Sequence, residues 1–359
     1  MASSDKNRRR GIVGTIVSRL LMLGAVVLML AGLVAAMLHY ANAPGPLRER
    51  KVILVERGAT SGEIASVLEE ERIVSSRYLM LAVLLWQRLR GDGRPLKAGE
   101  YAFEPGVSLA GVLEQMRRGR GVAYHITIPE GFSVAQALKR VREHPALSGE
   151  LTIEPPEGGL LPDTYQFNRG ETRDQVVRRM MAAMRRFLES EWPKRAPGLP
   201  LKTPREALIL ASIVEKETAV PAERPRVAAV YINRLRKGMP LQADPTVIYG
   251  ITKGLPLGRP LKRSDLKKDT PWNTYTRKGL PPTPIANPGR DSIRAVLHPA
   301  QTKELYFVAD GSGGHVFAAS LKEHRRNVAN WRKWKKEQRK KRKEQTPAAD
   351  QGATDDTTR

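Results

Sequence analysis

From Leu20 to Leu38 the chain runs nineteen residues without a charged side chain. A helix of about 20 apolar residues is the length that crosses a bilayer core, so this run constrains the architecture more than any other stretch. Lys6, Arg8, Arg9, Arg10 and Arg19 precede it. Positive flanks stay inside, so the N-terminus is expected in the cytoplasm and everything after Tyr40 beyond the membrane. A cleaved signal is the competitor, because Ala41-Asn42-Ala43 has the small residues of a cleavage site. Signals carry shorter apolar cores of roughly 7–15 residues, which favours a retained anchor.

The topology bears on the charge. Sixty-one Lys and Arg against 37 Asp and Glu leave a net +24, a balance that invites a nucleic-acid partner. Most of those residues are expected across the membrane from nucleic acid, so an anionic lipid surface or wall polymer fits better. Cysteine is absent, which excludes disulfides, thiolate metal sites and a cysteine nucleophile.

After the Pro44-Gly45-Pro46 linker, three units repeat. Strand candidates at 51–56, 100–104 and 126–130 are closed by Gly58, Gly106 and Gly131. Thr60, Ser108 and Ser133 follow two positions later, each placed to cap a helix. The first two units resemble a glycan-binding LysM module in outline. Between them, Tyr78 to Leu89, with Trp86, reads as a core-packing helix. A further amphipathic helix is expected over 171–192, with Val176, Val177, Met180, Met181, Met184 and Phe187 inward.

The most informative helix is Ala207 to Val220. At roughly 100° per residue, Leu210, Ile213, Val214 and Glu217 share one stripe, and Glu215 lies about 160° away from Glu217. Leu208 and Ala211 keep the other side apolar, so the helix is expected to be buried. An acid at the end of such a stripe is costly when ionised, and a raised pKa suits a general acid. Glu217 is therefore the first catalytic candidate. A helix that simply emerges from the core, leaving both acids in water, stays open on this stretch alone. Downstream, Gln242, Asn273, Thr274 and Asn287 alternate with aromatics and prolines, parts suited to gripping sugar hydroxyls and stacking on pyranose faces. Leu305–Ala309 and Val316–Phe317 read as a hairpin around a glycine-rich turn. None of the six histidines has metal-ligand spacing, so neither metal nor cofactor is expected, and His315 is read as structural.

Several separated motifs then carry one resemblance. Ala211-Ser212-Ile213-Val214-Glu215-Lys216-Glu217-Thr218, Ile232-Asn233-Arg234-Leu235, Gln242-Ala243-Asp244-Pro245-Thr246-Val247-Ile248-Tyr249-Gly250, Asn273-Thr274-Tyr275 and Gly279-Leu280-Pro281-Pro282 occur in an order that resembles the MltG/YceG family. Its members are endolytic murein transglycosylases of the bacterial inner membrane. The resemblance implies an α+β protein with a single transmembrane helix, a LysM-like module and a mixed α/β catalytic domain. The expected division is 1–19 cytoplasmic, 20–40 anchor, 41–120 linker and module, 121–335 catalytic and 336–359 basic, disordered tail. It implies Glu217 as the catalytic acid. Glu215, Gln242, Asp244, Thr246, Tyr249, Asn273, Thr274 and Tyr275 are implied around the substrate. Peptidoglycan strands, the inner membrane and wall-synthesis enzymes are the implied partners, and nucleic acid is not. A hydrolase on the same glycan, using Asp244 as a second carboxylate, and a non-catalytic wall-binding scaffold are the alternatives.

Overall fold

The computed structural model describes residues 3–119 and 121–345, with side chains over 20–119 and 121–341. Residues 346–359 of the expected disordered tail lie outside the described residues. The chain divides into two compact units. One comprises residues through Tyr124 plus Gln166–Glu171, and the other holds His125–Tyr165 and everything from Thr172.

The first unit begins with helix α1 (Ser3–Asn42), whose Leu20–Asn42 part has a mean hydropathy of 2.6 and is long and apolar enough to cross a membrane. Strand β1 (Lys51–Val55) then leads into α2 (Ser61–Glu70) and α3 (Arg77–Leu89), and β2 (Gly99–Phe103) into α4 (Leu109–Arg118). The strands pair antiparallel, Lys51 opposite Phe103 and Val55 opposite Gly99. Alternation puts Ile53, Val55, Tyr101 and Phe103 inward onto Leu68, Met80, Val112 and Met116. The predicted caps form. Thr60 and Ser108 accept the N–H groups of Glu63 and Gly111, and Gly58 and Gly106 take the left-handed turn. Helix α3 departs from expectation: Met80 and Val83 are buried, but Tyr78, Leu85 and Leu89 are exposed. Its apolar residues surround it on all sides, and among the described residues only one face is covered.

Strands β3 (Ala123–Thr127) and β4 (Thr164–Asn168) pair with each other. The second unit continues with α5 (Val134–Arg142), capped by Ser133, and α6 (Arg173–Glu191). At its centre is α7 (Pro204–Glu217), which Thr203 caps with Pro204 in the first turn. Every residue from Ala207 to Val214 is buried. The Ser212 hydroxyl inside this apolar rod is satisfied, donating to the Ile209 carbonyl at 2.7 Å and accepting the Ile285 N–H at 3.0 Å. Helices α8 (Arg224–Arg236) and α11 (Arg290–Leu297) pack against it. Between them in sequence come α9 (Asp244–Thr252) and α10 (Arg263–Lys267). A hairpin of β5 (Tyr306–Ala309) and β6 (His315–Ala318) and helix α12 (Leu321–Gln345) complete the unit.

Candidate active site

Helix α7 ends at Glu217, and from there the backbone turns extended at Thr218. The apolar stripe therefore delivers Glu217 to the rim of the core, half-buried among groups from α8, α9 and the 273–275 loop. Tyr231 and Arg234, three residues apart on α8, share a face that meets it. The Tyr231 hydroxyl hydrogen-bonds its carboxylate, with Arg234 and Asp244 near enough for their charges to act on it. Burial pushes the Glu217 carboxyl up to about 7, and Asp244 adds to the rise against the opposing pull of Tyr231 and Arg234. The resulting carboxyl holds its proton near neutrality while remaining accessible, the property of a general acid.

The two neighbouring phenols stay protonated. Burial pushes the Tyr231 hydroxyl well above its ordinary value, helped by the charge of Glu217. The Tyr275 hydroxyl is likewise raised, by burial and by donating to Asp244 Oδ1 at 2.5 Å. Both can therefore donate hydrogen bonds throughout the physiological range. Burial pulls the Arg234 guanidinium down from its ordinary value. Its Nε donates to the Leu305 carbonyl and its Nη1 to the Leu241 carbonyl, each at 2.7 Å. One side chain thus ties the start of the hairpin to the loop that precedes Asp244.

The residues expected around the substrate separate into two groups. Gln242, Asp244 and Tyr275 lie on the open side. Asp244 is exposed at the first turn of α9, and Gln242 is exposed with a left-handed φ of 52° while its N–H donates to the Thr274 carbonyl. A left-handed non-glycine costs about 1 kcal/mol and marks a backbone held in place by its surroundings. Thr246, Asn273 and Thr274 are buried and face protein. The Asn273 amide donates to the Leu266 and Lys268 carbonyls and accepts the Tyr275 N–H. The Thr246 and Thr274 hydroxyls bond each other at 2.8 Å, Thr246 donates to the Ala243 carbonyl, and Thr274 accepts the Ala243 N–H. These three fix the loops that carry Asp244 and Tyr275. Tyr249 is buried too, its hydroxyl donating to Glu157 Oε2 at 3.2 Å and its ring lying 5.5 Å from that of Trp272. Glu157, raised by burial, was not a candidate from sequence, and its 92-residue separation from Tyr249 leaves no local signal.

Glu215 points away from Glu217, as the periodicity requires. It accepts the Gly289 N–H at 2.9 Å and pairs with Arg224 at 3.7 Å. Arg224 also reaches Glu130 at 3.3 Å and Asp291 at 3.5 Å, so one buried guanidinium holds three carboxylates. On the other side of the helix end, Thr218 donates to Glu223 at 3.1 Å, and Glu223 accepts both the N–H and the ring Nδ1 of His315, at 2.7 Å each. Burial raises the Glu223 carboxyl, but these His315 and Thr218 contacts outweigh it and hold it below its ordinary value. Among the described residues, no group of three or more His, Cys, Asp or Glu is arranged to hold a metal ion.

The sequence profile of the YceG-like family matches residues 53–330. An endolytic murein transglycosylase of Bacillus subtilis is 31% identical over 309 residues, covering 76% of this chain and 82% of the relative. One from Streptococcus pneumoniae is 28% identical over 324 residues, and here the match spans 77% of this chain but only 57% of the relative's length. A crystal structure of a yceG-like protein from Listeria monocytogenes is 27% identical and covers 78% of this chain and 99% of its own, with a TM-score of 0.46.

Proposed function

The chain belongs to the YceG-like family, and from that footing we propose that it is a membrane-anchored endolytic murein transglycosylase with Glu217 as its catalytic group. The observation that carries the assignment is the half-buried Glu217, poised at about 7 beside Tyr231, Arg234 and Asp244. Protonated Glu217 donates to the oxygen linking N-acetylmuramic acid to the next N-acetylglucosamine. The C1–O bond breaks, and positive charge develops at C1 and the ring oxygen. The C6 hydroxyl of the same muramic ring then attacks C1, and the Glu217 carboxylate takes its proton back. The product is a 1,6-anhydro end, with no water consumed. The Asp244 carboxylate, held by the Tyr275 hydroxyl, orients the muramic ring and favours the developing positive charge. Gln242 contributes an amide to the same open edge.

Cleavage within new strands suits an enzyme tethered at the inner membrane by α1, with its N-terminus in the cytoplasm and both units in the periplasm. The enzymes that make those strands are its natural partners, and the βααβ order of the first unit supplies a LysM-like outline for holding glycan. Asp244 also gives the hydrolase reading its one concrete support, since a second carboxylate could activate water. Digestion of purified murein by the wild type and by Glu217→Gln separates the readings. Mass spectrometry should find muropeptides one water lighter than hydrolytic ends, absent with the variant. Full-mass reducing ends from the wild type would make it a hydrolase, and undiminished activity in Glu217→Gln would remove Glu217 from the mechanism.

A further inference from the structure

A cavity of about 320 Å³ lies against the end of the catalytic helix, lined by residues of α7, α9 and the segment before α5. It takes Lys216 from α7 and Pro245 from α9, the immediate neighbours of Glu217 and Asp244. Successive helical residues diverge by roughly 100°, so Lys216 enters this cavity while Glu217 meets Tyr231. Ile248, Leu255 and Ile285 make much of its wall apolar.

Two glycines shape it. Gly254, at a φ of 88°, brings the chain after α9 so close to Ser133 that a Cβ there would lie 2.4 Å from the Ser133 Cβ. Gly131 holds a φ of 75°, and a Cβ there would sit in contact with the Lys216 side chain at 3.4 Å. The polar groups of the wall are largely committed. The Gln136 oxygen accepts the Ser133 N–H, and the Tyr249 hydroxyl is taken by Glu157. Lys216 is exposed and donates one hydrogen bond, to the Gly131 carbonyl at 3.2 Å. Its ammonium has donors to spare, and no carboxylate lines the cavity with it.

An apolar cleft with a single ammonium suits a ligand with an aliphatic body and a carboxylate. Murein supplies one: the lactyl-linked peptide stem leaves the muramic ring at C3, two carbons from the C1 that is attacked. We propose that this cavity receives the peptide stem, with Lys216 gripping a stem carboxylate and the Ile248–Ile285 wall packing on its alanyl methyl groups. The inference rests on the murein reading above and adds to it a choice of substrate: strands that still carry stems, over strands stripped of them. Lys216 is thus a specificity residue, beside the acid in sequence but in a separate compartment.

Binding tests this without cleavage. The full chain in detergent is titrated calorimetrically with an N-acetylmuramoyl peptide whose carboxylates are free, and with N-acetylmuramic acid linked to no peptide. A charge-assisted hydrogen bond predicts that Lys216→Met weakens peptide binding about tenfold or more, with Lys216→Arg within about threefold of wild type. Leu255→Trp, at an exposed wall position, should weaken it by filling the cleft. Unchanged peptide affinity in Lys216→Met, or an equal loss for the peptide-free sugar, overturns the proposal. If Lys216-dependent binding is found with a wild type that leaves murein uncut, the lytic reading fails and the stem site stands. The converse, full lysis with no such dependence, removes the stem site alone.

Discussion

A carboxyl that must deliver a proton works only below its own pKa. With Glu217 at about 7, kcat/KM on murein should be level at mildly acid pH and fall about tenfold per unit once pH passes 7. A profile that holds flat to pH 9 would assign the proton to another group. The same shift has a consequence for stability. The folded carboxyl binds its proton more tightly than the unfolded one, whose ordinary value is 4.5. Its destabilising effect is therefore absent below about 4.5, grows as pH rises to 7 and is constant above. Glu217→Gln should raise stability at pH 8 by up to about 3 kcal/mol and leave it unchanged near pH 4. Thermal unfolding at the two pH values checks this, and catalysis should fall by a factor of roughly 10² to 10⁴ in the same variant. The place of Glu217 at the end of the buried stripe was legible because helical periodicity fixes a direction relative to that stripe. The part played by Tyr231 and Arg234 was not legible, since no local pattern says which helix faces α7.

At the scale of elements, the end of α7 is held from two sides, by Arg224 with its three carboxylates and by Glu223 with His315. Removing the guanidinium would leave the buried Glu215 carboxylate beside Glu130, whose own carboxyl is already raised by burial and by Glu215. Breaking a buried ion pair at one partner typically costs 3–5 kcal/mol. Arg224→Met should therefore lower stability by about 3 kcal/mol, and adding Glu215→Gln should recover part of it, because the amide oxygen still accepts the Gly289 N–H. Equal stability of Arg224→Met and wild type in urea would show that the network carries no weight. Capping hydroxyls and glycine turns were readable because their geometry is local: Thr60, Ser108 and Ser133 each act within three residues. Helix α9 is not signalled by its opening residues, because Asp244-Pro245 suits a turn as well as the first turn of a helix. Helix α11 has eight residues and no side-chain cap, too few turns to establish a period. Arg224 reaches Glu130 across 94 positions, and Glu215 reaches Gly289 across 74, separations that only the packed unit closes.

For the whole molecule, the charge-free run made the long apolar N-terminal helix visible in advance. The packing of that helix's end was not, and it bears directly on whether the helix is kept. Helix α1 continues unbroken through Ala41 and Asn42, and the Ala43 N–H donates to the His39 carbonyl. Ala41 is 2% exposed in the core of the first unit, with Met37 packed beside it. The small-residue stretch that resembled a cleavage site is thus helical, with Ala41 locked into the folded unit, whereas a peptidase needs an extended, reachable strand. An uncleaved N-terminus is the expected outcome. Membranes from expressing cells should retain the full-length chain through an alkaline carbonate wash, and its intact mass should include residues before Leu20. Each Arg placed at the centre of a spanning helix costs about 2.5–3.5 kcal/mol, so Leu28→Arg with Leu30→Arg should release the chain from washed membranes. A mature N-terminus at Pro44 would overturn retention. Protease added to spheroplasts should digest the chain beyond Tyr40, and protection there would place both units in the cytoplasm, away from murein.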